Sequence, residues 1–209
     1  MKTKLSLISL ALVLLSSNIA QAKSNSGNPD WIVRGRALYV NPDTKGKIKE
    51  ANLNVDVSST QVPEIDISKF IAPNLALELI LATTKHEVTG RNYNNGSAIH
   101  ASSVRLLPPT LTLQYHANPT GIFRPYAGAG LNYTFFYGAK GGDAGDVRYQ
   151  NNLGYALQAG FDYMIDEKIG INFDIKKIFL KTRVHVNNTY ATTVRLDPWL
   201  IGAGISYHF

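Results

Sequence analysis

The stretch Glu64–Ala82, EIDISKFIAPNLALELILA, decides how this chain folds. Before the turn Ala72-Pro73-Asn74, Ile65, Ile67 and Ile71 alternate with Glu64, Asp66 and Ser68, with Lys69 the one exception on the apolar side. After it, Leu75, Leu77, Leu79 and Leu81 alternate with Ala76, Glu78, Ile80 and Ala82. A period of two sends successive side chains to opposite faces of a strand. The segment therefore reads as a β-hairpin with one aliphatic face and one face that carries carboxylates.

The same alternation recurs along the chain. Trp31, Val33, Gly35, Ala37 and Tyr39 oppose Arg34 and Arg36; Leu111, Leu113 and Tyr115 oppose Thr110, Thr112, Gln114 and His116. Ala127 to Phe135 follow the pattern after the Asn118-Pro119-Thr120-Gly121 turn, then Leu153 to Ile165, Ile169 to Lys176 and Trp199 to Phe209. About eight strands result. The links at 72–74, 117–122 and 166–168 are short, whereas 41–60, 86–103, 138–152 and 183–193 are long and polar. Short turns at one rim and long loops at the other is the pattern of outer-membrane barrels.

A charged side chain on a barrel's lipid face costs about 2–4 kcal/mol at the bilayer midplane. The face carrying Arg34, Arg36, Glu64, Asp66, Glu78, Arg124, Asp162, Asp174 and Lys176 must then be the lumen, and the aliphatic face must meet lipid. Lys69 and Lys177 break the rule near strand ends, where a long stem reaches the headgroups. The expected fold is all-β: an eight-stranded antiparallel transmembrane β-barrel with short periplasmic turns and long extracellular loops.

The rest of the chain agrees. A basic start (Lys2, Lys4), an apolar run from Leu5 to Leu15 and Ala20-Gln21-Ala22 read as a secretory signal peptide, residues 1–22, leaving a barrel over 23–209. No later apolar run is long enough for a spanning helix. Cysteine is absent, which excludes a disulfide-stapled scaffold. The formal charge of +6 falls to about +4 once Lys2 and Lys4 are removed; this is modest, and export argues against nucleic acid as a partner. Outward-facing aromatics, Tyr115, Phe161, Tyr163, Tyr207 and Phe209 near the short-turn rim and Trp31, Tyr39, Tyr133 and Phe135 elsewhere, suggest interface girdles. Ile205, Tyr207 and Phe209 share a face at the end of the sequence, as in the signal read by outer-membrane assembly machinery.

Four blocks carry a family resemblance: Asn74–Leu79 (NLALEL), Leu107–Leu111 (LPPTL), Phe123–Thr134 (FRPYAGAGLNYT) and Val194–Trp199 (VRLDPW). With these in order, the chain resembles the OmpW family. The resemblance implies a monomeric eight-stranded barrel with a narrow, largely apolar lumen that passes or binds small hydrophobic compounds and, in some cases, serves bacteriocins as a receptor. It also implies a departure: the best-known members place a Trp in the lumen where this chain has Lys176, facing the position of Ile80. A lysine at a constriction makes a passage more polar.

By parity Ile80, Ala82, Tyr126, Met164 and Lys176 could line that constriction, although eight strands leave an interior that side chains can also fill. Gly128, Gly130, Gly154, Gly160, Gly202 and Gly204 point inward too, and small residues favour an open lumen. Pro108-Pro109 removes two backbone donors in a barrel with no edge strand to hide them. The pair marks either a gap in the wall near the outer leaflet or simply a strand start or bulge. His86, His100 and His185 fall in or beside long loops without metal-ligand spacing, so no metal and no cofactor is expected. Gly128-Ala129-Gly130 lacks the helix a dinucleotide loop needs. His208 and Ser206 share a face as in barrel lipases, but face the lumen, so no enzyme is expected. Basic residues of the loops and their bases (Lys45, Lys47, Lys49, Arg91, Arg105, Lys140, Arg148, Arg183 and Arg195) could hold lipopolysaccharide phosphates.

Two functional classes follow. One is a barrel that binds or transports small hydrophobic or amphipathic molecules without chemistry. The other is a closed barrel for structure or surface interaction, serving adhesion, phage or bacteriocins. A soluble lipocalin-like carrier is a third option, and detergent dependence separates it from both.

Overall fold

The computed structural model describes residues 29–43, 47–48, 53–92, 96–143, 145–186 and 190–209. The expected signal peptide, Lys45 and Lys49 lie outside them. Fifteen strands run through the described residues: β1 (Trp31–Asn41), β2 (Lys47–Ile48), β3 (Leu53–Val57), β4 (Thr60–Ala72), β5 (Leu75–Ala82), β6 (Thr84–Asn92), β7 (Ala98–Leu107), β8 (Thr110–His116), β9 (Phe123–Gly141), β10 (Val147–Tyr149), β11 (Asn152–Met164), β12 (Ile169–Phe179), β13 (Lys181–Val186), β14 (Tyr190–Arg195) and β15 (Trp199–His208).

Eight of these close a barrel. β1, β4, β5, β8, β9, β11, β12 and β15 pair in that order, all antiparallel, and β15 returns to β1. At the seam Trp31 and Phe209 exchange backbone hydrogen bonds of 2.8 and 2.9 Å. Closure satisfies the ladder all round, which a sheet in hydrocarbon requires because no water can pair a free edge. The alternation read from the sequence is the alternation of the wall: Ile65, Leu113, Leu131 and Ile171 point out, while Arg34, Asp66, Gln114 and Asn172 are wholly buried inside.

The register sorts the aromatics into two girdles. Tyr115, Phe123, Tyr163 and Tyr207 ring the short-turn rim, and Trp31 joins them there, with its ring under Lys69 Nζ at 4.7 Å. Tyr39, Tyr133, Tyr155, Phe179 and Trp199 form the other ring, where Lys177 Nζ lies 4.7 Å from the Trp199 centroid. Both outward-facing lysines thus sit at an interface, where an aromatic face and headgroups receive the charge.

The long connections are largely strand rather than loop. β2, β3, β6, β7 and the upper part of β9 form one sheet above the outer girdle, and β10, β13 and β14 form another. They meet through Val55, Val88, Val104, Phe136, Tyr149, Val184 and Val194, with Phe136 and Tyr149 stacked at 5.5 Å. Leu53-Asn54-Val55-Asp56-Val57 already alternates, which is the signal that marks it as a strand. Where β14 bends into β15, Asp197 adopts φ 26°, and its carboxylate accepts the Leu180 N–H at 2.9 Å.

Candidate functional site

The lower half of the lumen is filled by charge. Arg34 on β1 donates to both oxygens of Asp162 on β11 (3.1 and 2.7 Å) and to Ser68 at 3.0 Å, and lies 3.4 Å from Asp66. Arg36, two residues on, bonds Asp66 and reaches Glu78 at 3.3 Å; Glu64 (3.3 Å) and Asp174 (3.2 Å) are ion-pair neighbours without aligned hydrogen bonds. Thr112 and Gln158 donate to Glu78 at 2.8 and 2.7 Å, and Tyr126 donates to Asp174 at 2.8 Å. All these ionised side chains are buried, so each must be paired to be tolerated.

The inward glycines do not open this space. A Cβ at Gly160 would stand 2.6 Å from the Tyr126 hydroxyl, one at Gly202 3.2 Å from Arg36 Cδ, and one at Gly204 would run into the backbone of Gly35. Their missing side chains make room for neighbouring strands and for the arginine and tyrosine of the plug. At these positions the expectation that small residues signal an open lumen is corrected.

Above the plug lies a cavity of about 70 Å³. Its lowest lining residues are Glu64, Ile80, Thr110, Asn132 and Lys176; Leu38, Val40, Ile178, Leu180 and Leu200 form its wall, and Val88, Val104, Leu106, Phe136 and Tyr149 lie above. Of the residues singled out in the sequence, Ile80, Ala82 and Lys176 come together here. Tyr126 and Met164 face inward but lie lower: Tyr126 is part of the plug, 4.8 Å from Arg34 Cζ, and Met164 pairs with Gly170 near the short-turn rim. Lys176 does not make the passage polar by a free charge. Its Nζ is 2.7 Å from Glu64 and 3.1 Å from Asp174.

Pro108, in the cavity lining, and Pro109 lie between β7 and β8, beside Tyr133 of the outer girdle. On the β9 side the wall is kept, since Tyr133 N–H donates to the Pro109 carbonyl at 3.0 Å. On the other side the ladder stops at Ile80↔Thr110 and resumes at Thr84↔Leu106. Leu81, Ala82 and Thr83 thus face Pro109, Pro108 and Leu107 across an interval without paired backbone, into which Pro108 offers no donor.

The histidines do not gather. His86 lines the cavity with Nδ1 2.7 Å from the Ser58 carbonyl, and burial pushes its pKa down; His100 lies 3.4 Å from Glu87 at the surface; His185 is on β13. His208 and Ser206 are hydrogen-bonded at 3.1 Å, buried, and His208 also meets Arg124 at 2.9 Å. Arg91, Arg148 and Arg195 have acidic neighbours in Asp56, Asp146 and Asp197, while Arg105, Lys140 and Arg183 are exposed. Two functional groups escaped the sequence reading. Glu64 and His86 were named only as a lumen charge and a loop histidine, and the register alone brings them to one cavity.

The comparisons agree with this architecture. A family model for the OmpW family matches residues 27–209. Uncharacterized outer-membrane protein y4mB of Sinorhizobium fredii is 42% identical over 213 aligned positions, covering 95% of this chain and 89% of that one. Outer membrane protein W of Vibrio cholerae is 30% identical over 194, covering 86% and 88%. The crystal structure of the outer membrane protein OprG from Pseudomonas aeruginosa superposes with a TM-score of 0.78 at 26% identity, covering 87% and 96%. A closed eight-stranded wall with an apolar exterior, matched from end to end of its described strands, places the chain in the bacterial outer membrane as a member of the OmpW family.

Proposed function

We propose that the barrel is a passive carrier: small apolar or amphipathic molecules occupy the cavity above the plug and leave sideways into the outer leaflet through the break at Pro108-Pro109. The observation that carries this reading is the apolar cavity, closed beneath by the Glu64–Lys176 pair and bordered by unpaired wall. A packed, charged floor gives an apolar solute no way down, because crossing it would break several buried ion pairs at once. A wall without ladder hydrogen bonds is the part that opens at least cost.

Replacing both prolines with valine restores one N–H donor to the gap, at position 108 opposite Ala82, while the N–H at position 109 points to β9, as the Pro109 carbonyl does. Uptake of an apolar solute by liposomes holding the barrel should fall by about tenfold, the equivalent of one hydrogen bond closing the gap. Unchanged uptake would remove the sideways exit, and a wild-type barrel that neither binds nor transports apolar solutes would defeat the carrier reading. A second reading is a surface-interaction barrel, favoured by the two strand-built sheets above the membrane, whose shared apolar cluster gives a partner such as a phage or bacteriocin a firm platform. We also propose that the barrel is a monomer, that residues 1–22 are cleaved on export, that Ile205, Tyr207 and Phe209 guide assembly, and that Arg105, Lys140 and Arg183 meet lipopolysaccharide.

A further inference from the structure

The polar groups of the cavity wall define what end a ligand must carry. Thr110, Asn132 and Thr134 bond one another and the Pro108 carbonyl, and Tyr149 bonds Ser102. Glu64 and His86 retain acceptor capacity. Glu64 meets Lys176 Nζ at 2.7 Å and Arg36 Nε at 3.3 Å, both through Oε1, and among the described residues Oε2 engages nothing. His86 is 4% exposed, and its Nδ1 faces a carbonyl oxygen, which can only accept; Nδ1 therefore holds the proton. Burial keeps the ring neutral, so Nε2 is left as a lone pair.

Lys176 offers an anion no place. Its ammonium is already shared between Glu64 and Asp174, and the other cations beneath it are engaged as well: Arg34 with Asp162, Arg36 with Asp66, Glu78 and Asp174, and Arg124 with His208. A carboxylate or phosphate arriving from above would meet the open Glu64 oxygen, with no free cation beside it and little water to screen the two. An ammonium or hydroxyl would meet two acceptors instead.

We propose that the cavity selects apolar molecules that end in a hydrogen-bond donor, alkylamines first and alcohols next, and turns away carboxylate and phosphate amphiphiles, with Glu64 as the specificity-determining residue. The inference rests on the cavity being the ligand site. The test uses the barrel in lipid nanodiscs, titrated with hexylamine, 1-hexanol, hexane and hexanoate. Binding is read from the amide NMR shifts of Val88, Thr134 and Ile178, which line the cavity, against Leu113 and Ile171 on the lipid face.

Hexylamine should bind tightest, and hexanoate about tenfold or more weaker than 1-hexanol, the scale of one charge-assisted hydrogen bond gained or denied. Glu64→Gln should weaken hexylamine about tenfold and leave hexane unchanged. His86→Leu lies outside the plug and should weaken 1-hexanol relative to hexane, which keeps the test alive should Glu64→Gln fail to fold. Hexanoate binding as tightly as hexylamine to the wild type overturns the selectivity and leaves the cavity as a ligand site. If none of the four binds, hexane included, the carrier reading falls and the selectivity with it.

Discussion

Arg34→Leu is the sharpest perturbation of the plug. The guanidinium makes two hydrogen bonds to Asp162, one to Ser68 and one to Asp66, all wholly buried, and lies over the Tyr126 ring. Leucine fills part of the volume but leaves the Asp162 carboxylate with Asn172 and His208 as its remaining neighbours. Each charge-assisted bond is worth about 1.5–3 kcal/mol on its own, but their sum overstates the loss because the partners relax. Removing one member of a buried ion pair costs about 3–5 kcal/mol, and that is the expected destabilisation.

The assay is reversible urea unfolding in lipid vesicles, followed by the folded-to-unfolded shift in gel mobility. Asp162→Asn in the Arg34→Leu background supplies the control, since it removes the charge that the first substitution stranded. It should restore about 1–3 kcal/mol, a coupling typical of residues in direct contact. An Arg34→Leu barrel within about 1 kcal/mol of wild type would mean that the plug is hydrated and the ion pairs screened. The claim that charge seals the lower lumen would then be withdrawn.

Other consequences are open to simpler measurements. Leu113→Arg and Ile171→Arg on the outer face should each cost about 2–4 kcal/mol, the penalty for a charge near the bilayer midplane, and spin labels at Leu77, Leu113 and Ile171 should report lipid; water at these positions would undo the barrel's orientation. In the turn after β11, Asp166 accepts the N–H groups of Lys168 and Ile169 at 2.7 Å each, which hold its carboxyl below the usual range. A lowered folded pKa contributes stability above the unfolded value near about 3.9 and loses it as pH falls through the folded value, so the deficit of Asp166→Ala at pH 7 should vanish in strong acid. A deficit that persists there points to backbone effects instead. Mass spectrometry of the exported protein should find Lys23 first; another first residue refutes the Ala22 cleavage site.

The wall was legible because two independent signals coincide in it. Period-two alternation gives the strand, and the cost of a charge in lipid gives the direction of each face, so Leu113 and Asp66 could be assigned without a structure. The extracellular sheets were less so: in Thr84-Lys85-His86-Glu87-Val88 the interior residues include a threonine and a histidine, and no lipid face adds its weight. The site was legible as a set of inward residues but not as a height. Ile80, Ala82 and Lys176 meet at the cavity while Tyr126 and Met164 do not, because height in a barrel depends on register and tilt, which parity alone leaves free. Pairing was beyond reach for the same reason. Arg34 and Asp162 are 128 positions apart, and only closure brings β1 and β11 face to face across the lumen.

Charge in the lower lumen and apolarity above it are two consequences of one constraint. Eight strands enclose too little space for water to hydrate Arg34, Arg36 and Lys176 separately, so these cations stay ionised only if carboxylates from facing strands reach them. Five such carboxylates fill the section between Asp66 and Asp162, and the barrel there becomes solid. Above Glu64 the inward residues turn to Leu38, Val40, Ile178 and Leu200, which need no partners and leave a void. A void with a sealed floor has exits only upward or through its wall, and the wall lacks backbone pairing beside Pro108. In the proposed carrier the prolines and the plug act together: the first would give an apolar molecule a way into the membrane, and the second would deny it any other path inward.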